Sequence, residues 1–195
     1  STRMVDTGSA PEILPLSPLA DCWLMHSLPL FWRLSGVNVI LVGTGDAATA
    51  KRRILERAGA ICVDEDKDAR LAVVAEAEDD MAHAAIARLR ARGISINAVD
   101  RPDDCDFTFP AIVDRDPVLL AIGTGGASAG LAKALRIRLE ALLPVRLGRL
   151  ANALGGARAD MRRRWPDARD RRLVLDAALQ VGGPLDPLQE QDQAD

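Results

Sequence analysis

Tyrosine is absent from this 195-residue chain, and three Phe and three Trp are its whole aromatic complement. So few stacking residues, without a recognisable RNA- or DNA-binding motif, argue against a nucleic-acid partner. Cysteine is equally sparse. Cys22, Cys62 and Cys105 are scattered and form no C-x-x-C pair, which excludes a disulfide framework. His26 and His83 lie outside metal-ligand spacing, so no resident metal site of His and Cys is expected. Cys62 falls in an apolar run and reads as a small core residue. Long apolar stretches are missing too: Val37 to Val42 and Pro117 to Ile122 fall far short of the roughly 20 residues that span a bilayer. No membrane partner is expected. Asp6, Glu12 and two prolines precede any apolar run without a basic segment, which argues against a secretory signal and leaves the cytoplasm as the expected compartment.

Neither sign of charge dominates, since 25 Lys+Arg against 28 Asp+Glu leave −3 at pH 7. With 48% hydrophobic and 27% charged residues, the length suits one large or two small globular domains with a real core. Residues 1 to about 26 are rich in Pro, Ser and Gly and read as a mobile leader. Val37-Asn38-Val39-Ile40-Leu41-Val42 then reads as a parallel strand covered on both faces. A glycine turn follows, then a helix to Arg57 closed by Gly59. Further strands are expected at Ile61 to Val63, Leu71 to Ala75 and Ile94 to Val99, with a helix from about Asp79 to Arg92 stopped by Gly93. This alternation predicts an α/β fold with a parallel sheet and right-handed crossovers. Beyond Asp100 the pattern changes. Phe107 to Val113 and Val118 to Ile122 flank Asp114-Arg115-Asp116-Pro117 as a hairpin, and a helix with Leu131, Leu135, Leu139 and Leu142 ends before Pro144. The chain is helical from Val145 to about Leu179, and Gly182-Gly183-Pro184 opens an acidic tail expected to be disordered. No internal repeat is present.

Gly43-Thr44-Gly45-Asp46-Ala47-Ala48 is G-x-G-x-x-A between a buried strand and a helix. In that setting the glycines permit a tight turn and close approach of a pyrophosphate, and the small third residue permits helix-strand packing. The competing reading is a glycine turn that merely joins two elements. The acid that would bind an adenosine ribose about 20 residues on is Asp64, Glu65 or Asp66, favouring NAD over NADP; each could instead be a solvated strand end. Asp100, at the carboxyl end of a strand, reads as a general base or as a turn acid. Ser128 reads first as a helix N-cap, after glycines able to cradle an anion. Arg158, Arg162, Arg163, Arg164, Arg169, Arg171 and Arg172 form a basic stretch with Trp165 as the aromatic nearby. It is either a solvated helix face or a surface for a multiply carboxylated small molecule.

Leu28-Pro29-Leu30-Phe31, the glycine turn with Lys51, Asn97-Ala98-Val99-Asp100, Phe107-Thr108-Phe109-Pro110-Ala111-Ile112, Gly125-Gly126-Ala127-Ser128 and Leu143-Pro144 occur in one order. Together they resemble the precorrin-2 dehydrogenase/sirohydrochlorin ferrochelatase module of siroheme synthases, from about Leu28 to Leu179. The resemblance implies a homodimer with an NAD-binding Rossmann-like domain (27–106), a dimerisation domain (107–144) and a helical domain (145–180), between the leader (1–26) and the tail (181–195). It implies NAD-dependent oxidation of precorrin-2 to sirohydrochlorin, and in bifunctional members insertion of ferrous iron into that product. Asp100 becomes the catalytic acid/base, and Ser128 matches a serine phosphorylated in some members. Gly43, Thr44, Gly45, Asp46, Ala47, Asp64, Glu65, Asp66, Ala75 and Glu76 become cofactor-binding residues, and Gly125, Gly126 and Ser128 substrate-binding residues. Two departures stand out. A strand and flanking helices expected between the second and third strands are missing, and Ala75-Glu76-Ala77-Glu78 with Ala82 replaces Ala-Thr-Asp/Asn and a following Asn. The alternative is therefore an accessory protein that keeps a tetrapyrrole cleft but has lost hydride chemistry.

Overall fold

The computed structural model describes residues 25–189. The expected leader, apart from Met25 and His26, and residues 190–195 of the expected tail lie outside that range. Four strands, β1 (Asn38–Val42), β2 (Ile61–Val63), β3 (Leu71–Val74) and β4 (Ser95–Ala98), form one parallel sheet in the order β2-β1-β3-β4. Alternation along β1 sends Val39 and Leu41 to one face and Ile40 to the other, and all three are buried. The first face packs on α1 (Gly45–Arg57) through Leu55, and the second on α2 (Asp79–Ala91). Ala82, Ala85, Ile86 and Leu89 of α2 recur at helical spacing and supply the apolar stripe that this face requires.

Both helices end as their glycines predict. Gly59 adopts φ +80°, its amide donates to the Glu56 carbonyl at 2.9 Å and that of Ala60 to Leu55 at 3.0 Å, a Schellman closure repeated at Gly93 and Ile94. The connection from β2 to β3, residues 64–70, crosses β1 with no helix, although parallel crossovers commonly need about a dozen residues or more. This is the expected shortening of the sheet. It leaves β2 at the edge, with Ile61 51% exposed.

Two arginines, one in the last turns of α2 and one at its C-cap, hold the short crossover down. Arg88 grips the Glu65 carboxylate with Nε at 2.7 Å and Nη2 at 2.9 Å, and Arg92 donates to the carbonyls of Glu65 and Lys67, the latter at 2.7 Å. Asn38 Nδ2 reaches the Asp68 carbonyl at 3.2 Å from β1.

After a 3₁₀ turn (Pro102–Asp104), β5 (Ala111–Arg115) and β6 (Val118–Ile122) form an antiparallel hairpin. The expected first strand ran from Phe107 to Val113. It is displaced because Asp114 and Arg115 pair with Leu119 and Val118, leaving a two-residue turn, while Phe107 and Phe109 pack against the α1 side of the sheet. Helix α3 (Ala129–Leu142) buries Ala132 and is capped at its far end by Arg115, which donates to the Glu140 carbonyl at 2.7 Å and that of Leu143 at 3.2 Å. The helical segment divides into α4 (Leu147–Gly156), α5 (Arg158–Arg164) and α6 (Ala168–Leu179). Gly148 of α4 lies so close to the Arg115 and Asp116 carbonyls that any side chain would overlap them. Residues 181–189 correct the expectation of a disordered tail. They fold back in turns around a buried Asp186, whose carboxylate accepts from the amides of Gly182 at 2.8 Å and Leu188 at 3.0 Å.

The Glu65 carboxyl is held below its ordinary range, chiefly by the Arg88 hydrogen bonds, against some opposing burial and with help from the Arg88 and Arg92 charges. A carboxyl depressed in the folded state contributes stability that is complete above its unfolded value and lost as pH falls through the folded one. Arg88→Ala is expected to lower the thermal midpoint by a few degrees at pH 7, and that difference from wild type should shrink toward zero as pH falls below about 4. Calorimetric melting across pH 3–7 measures it; a difference independent of pH would show that the clamp does not act through this carboxylate.

Candidate functional site

A cleft of about 550 Å³ opens where β1, β3 and β4 end. It is lined by Thr44 to Ala47, Ala75 to Ala77, Asp79, and Val99 to Arg101. The strand order explains its position. The chain leaves β1 through α1 on one face and leaves β3 through α2 on the other, so the two exits diverge and a crevice opens between them at the carboxyl ends.

The glycine turn is the first wall. Gly43 has φ +105°, and a Cβ there would overlap the Ala75 carbonyl and lie 2.8 Å from the Glu76 amide nitrogen. Gly45 has φ +82° with open space where a side chain would stand. Thr44, the N-cap of α1, makes no side-chain cap bond, so the first amides of the helix remain as donors toward the cleft. Ala48 is buried on the sheet side, the small residue that close helix-strand packing needs. An open backbone cradle with free helix amides fits a dinucleotide pyrophosphate.

The second wall is acidic. Glu76 turns its carboxylate onto the Ala77 amide at 3.0 Å. Arg101, only 15% exposed, anchors the loop before α2 through the Glu76 carbonyl at 3.1 Å and Asp79 Oδ1 at 2.6 Å. Asp100, exposed at the mouth, has φ +59°, a left-handed conformation that Asp tolerates better than most residues. The cleft thus brings together Thr44, Gly45, Asp46, Ala47, Ala75, Glu76 and Asp100, with Gly43 packed against Ala75 behind them.

Asp64, Glu65 and Asp66 stand apart from this lining. Glu65 is committed to Arg88, Asp66 pairs with Lys67 at 3.0 Å, and Asp64 follows directly on β2, the strand beside β1. Gly125, Gly126 and Ser128 form the turn before α3. A Cβ on Gly126 would lie 4.0 Å from Pro102, two residues beyond Asp100, and one on Gly125 would press the His26 ring at 3.2 Å. Ser128 is the N-cap of α3, its hydroxyl accepting from the Leu131 amide at 3.1 Å.

Sequence reasoning gave no role to Arg101, Asn97 or Cys105. Asn97 is buried with its Nδ2 donating to the Phe107 carbonyl at 2.9 Å, while its Oδ1 has no partner. Cys105 Sγ lies 3.2 Å from both the amide and the carbonyl of Ala98. These ties set where the segment after Asp100 runs, and nothing in local spacing announces them. Burial pushes the Cys62 thiol above its ordinary value, in keeping with a packed residue. The basic stretch lies on α5 and α6; Arg171 donates to the carbonyls of Trp165 at 2.7 Å and Pro166 at 2.6 Å, and Arg163 pairs with Asp160. Among the described residues no group of three His, Cys, Asp or Glu could hold a metal, and no helix is long and apolar enough to cross a membrane.

Residues 62–111 match a protein-family model described as "Putative NAD(P)-binding". The chain is 34% identical to a siroheme synthase of Azotobacter vinelandii over 189 residues, covering 83% of this chain and 40% of that protein. It is 35% identical to a siroheme synthase of Methylococcus capsulatus across a 199-residue alignment, covering 88% of this chain and 42% of that protein. The chain therefore spans about two fifths of the length of these relatives. In fold it is similar to SirC, a precorrin-2 dehydrogenase, with a TM-score of 0.62 and 19% identity over 79% of this chain and 90% of the other. The glycine cradle and the dinucleotide-type crevice accord with these likenesses: most of the chain is similar to about two fifths of siroheme synthases, and its fold is similar to that of a precorrin-2 dehydrogenase.

Proposed function

We propose that this chain oxidises precorrin-2 to sirohydrochlorin with NAD, as a cytoplasmic homodimer, in the formation of siroheme. The observation that carries the reading is the meeting, in one cleft, of a backbone cradle for a pyrophosphate and a carboxylate, Asp100. NAD, when bound, supplies the hydride acceptor. Gly43, Thr44, Gly45 and the first turn of α1 hold the pyrophosphate through backbone donors, with Ala75 as the floor beneath Gly43. Asp64 receives the ribose hydroxyls. Asp100 removes the proton that must accompany loss of a hydride, and the same carboxylate suits removal of pyrrolic protons if ferrous iron enters the product as a second substrate. Gly125, Gly126 and Ser128 border the tetrapyrrole.

Asp100→Asn keeps the side chain best suited to the left-handed turn and removes the base. Turnover of precorrin-2 under anaerobic conditions is expected to fall at least tenfold, within the usual 10²–10⁴ contribution of acid-base assistance, with NAD affinity changed less than about twofold. Normal turnover would make Asp100 a turn residue alone.

A second reading, an accessory protein without dehydrogenase chemistry, draws on Glu76, whose carboxylate adds to Asp46, Asp79 and Asp100 in a cleft meant for an anionic cofactor. Calorimetry separates the two, because no NAD binding at millimolar concentration would remove the dehydrogenase. If the dehydrogenase reading holds, Glu76→Gln should tighten NAD about three- to tenfold at low salt and less at high salt.

The homodimer is supported by apolar surface on the hairpin and α3. Leu131, Leu135 and Leu142 are 53%, 40% and 66% exposed, and Ile112 and Leu119 stand out from the hairpin. Such a patch is characteristic of an interface. Light scattering at micromolar concentration should return twice the mass of the chain, and Leu135→Asp should return one; a monomeric wild type would overturn the dimer.

A further inference from the structure

Lys51 lies one turn beyond Ala47 on α1, and helical side chains lean toward the helix N-terminus, so its stem runs back toward the end where the cleft opens. The ammonium sits 4.4 Å above the centre of the Phe109 ring. Phe109 is packed against Phe107, with ring centres 5.8 Å apart, and both belong to the apolar cluster on the α1 face that also includes Val99. Lys51 is half-buried, and among the described residues its nitrogen makes no hydrogen bond or ion pair. Burial lowers its pKa below the ordinary lysine range, and the charges of Cys105 and Asp100 act in the opposite direction.

Placing a lysine ammonium in partly desolvated surroundings is unfavourable. A ring face offsets part of this cost but satisfies none of the three N–H donors. What is missing is an anionic oxygen acceptor. We propose that Lys51 is a binding residue for a carboxylate of the tetrapyrrole, standing on the Phe109 side of Asp100 and fixing the macrocycle relative to that base. The proposal rests on the reading of this protein as a tetrapyrrole enzyme. A carboxylate fits better than the cofactor's phosphates, because the latter have their own backbone donors at Gly45 and the first turn of α1, a turn away from this ammonium.

The test measures equilibrium binding of sirohydrochlorin and, separately, of NAD to the full chain. Lys51→Met and Lys51→Gln remove the charge at similar length, and Lys51→Arg retains it. The expected result is a tenfold or greater loss of sirohydrochlorin affinity in both neutral variants, a flatter dependence on salt, most of the affinity kept by Lys51→Arg, and an unchanged NAD affinity that also certifies the fold. Sirohydrochlorin binding equal to wild type in a neutral variant that still binds NAD overturns the assignment. So does a loss that falls on NAD while sirohydrochlorin binding is kept. Failure of the wild type to bind sirohydrochlorin at all would instead remove the tetrapyrrole reading on which the assignment stands.

Discussion

The approach of Gly43 to the backbone of Ala75 and Glu76 is the constraint on which the site depends. With no side chain at 43, the turn after β1 can lean onto the end of β3, and the chain can then start α1 with its amides facing the crevice. Any larger residue would drive these strand ends apart. The same contact brings Glu76 and Ala77 into one cleft with Gly45. Local conformation and function are thus joined at one position: the glycine is required by packing against β3, and the anion cradle is its consequence.

The second constraint is the absence of a helix between β2 and β3. A crossover helix normally covers its part of the sheet with an apolar stripe. Here residues 64–70 do so with little more than Ala69, and polar ties from Arg88, Arg92 and Asn38 replace the missing packing. This substitution reaches the site. Glu65, one of the three acids at the sequence distance from the glycine turn where a ribose acid is expected, is consumed as an anchor.

Features set by neighbours in sequence were legible. The β1-turn-α1 unit, the closing glycines at 59 and 93 and the Ser128 cap all arise from backbone preferences within a few residues, and the structure shows each of them. The hairpin was legible in kind but not in register, because Asp114 and Arg115 look like turn residues until Arg115 is seen capping α3. The engagement of Glu65 was hidden, since it turns on an arginine more than twenty positions away. Residues 181–189 were misread for a related reason: glycine, proline and acid composition signals disorder, whereas the Asp186 carboxylate organises its own amides and Arg146 reaches the carbonyls of Asp186 and Gln189.

The cleft divides by the kind of donor it offers. On the α1 side, binding relies on backbone amides and the helix dipole, which recognise an anion without a lysine or arginine and leave the surrounding Asp46, Glu76 and Asp79 to oppose added negative charge. That arrangement suits a dinucleotide with one pyrophosphate and penalises a further phosphate at the ribose. Outside this lining stand one side-chain cation, Lys51 over Phe109, and the Gly125–Ser128 turn facing Pro102. The cationic charge of Arg101, by contrast, is spent within the protein on Asp79 and the loop carbonyls. On the proposal made above, a carboxylate-rich substrate meets its cation at Lys51, over Phe109, rather than in the cofactor slot. Asp100 stands at the boundary, where a proton acceptor for the substrate must be if both ligands are to meet.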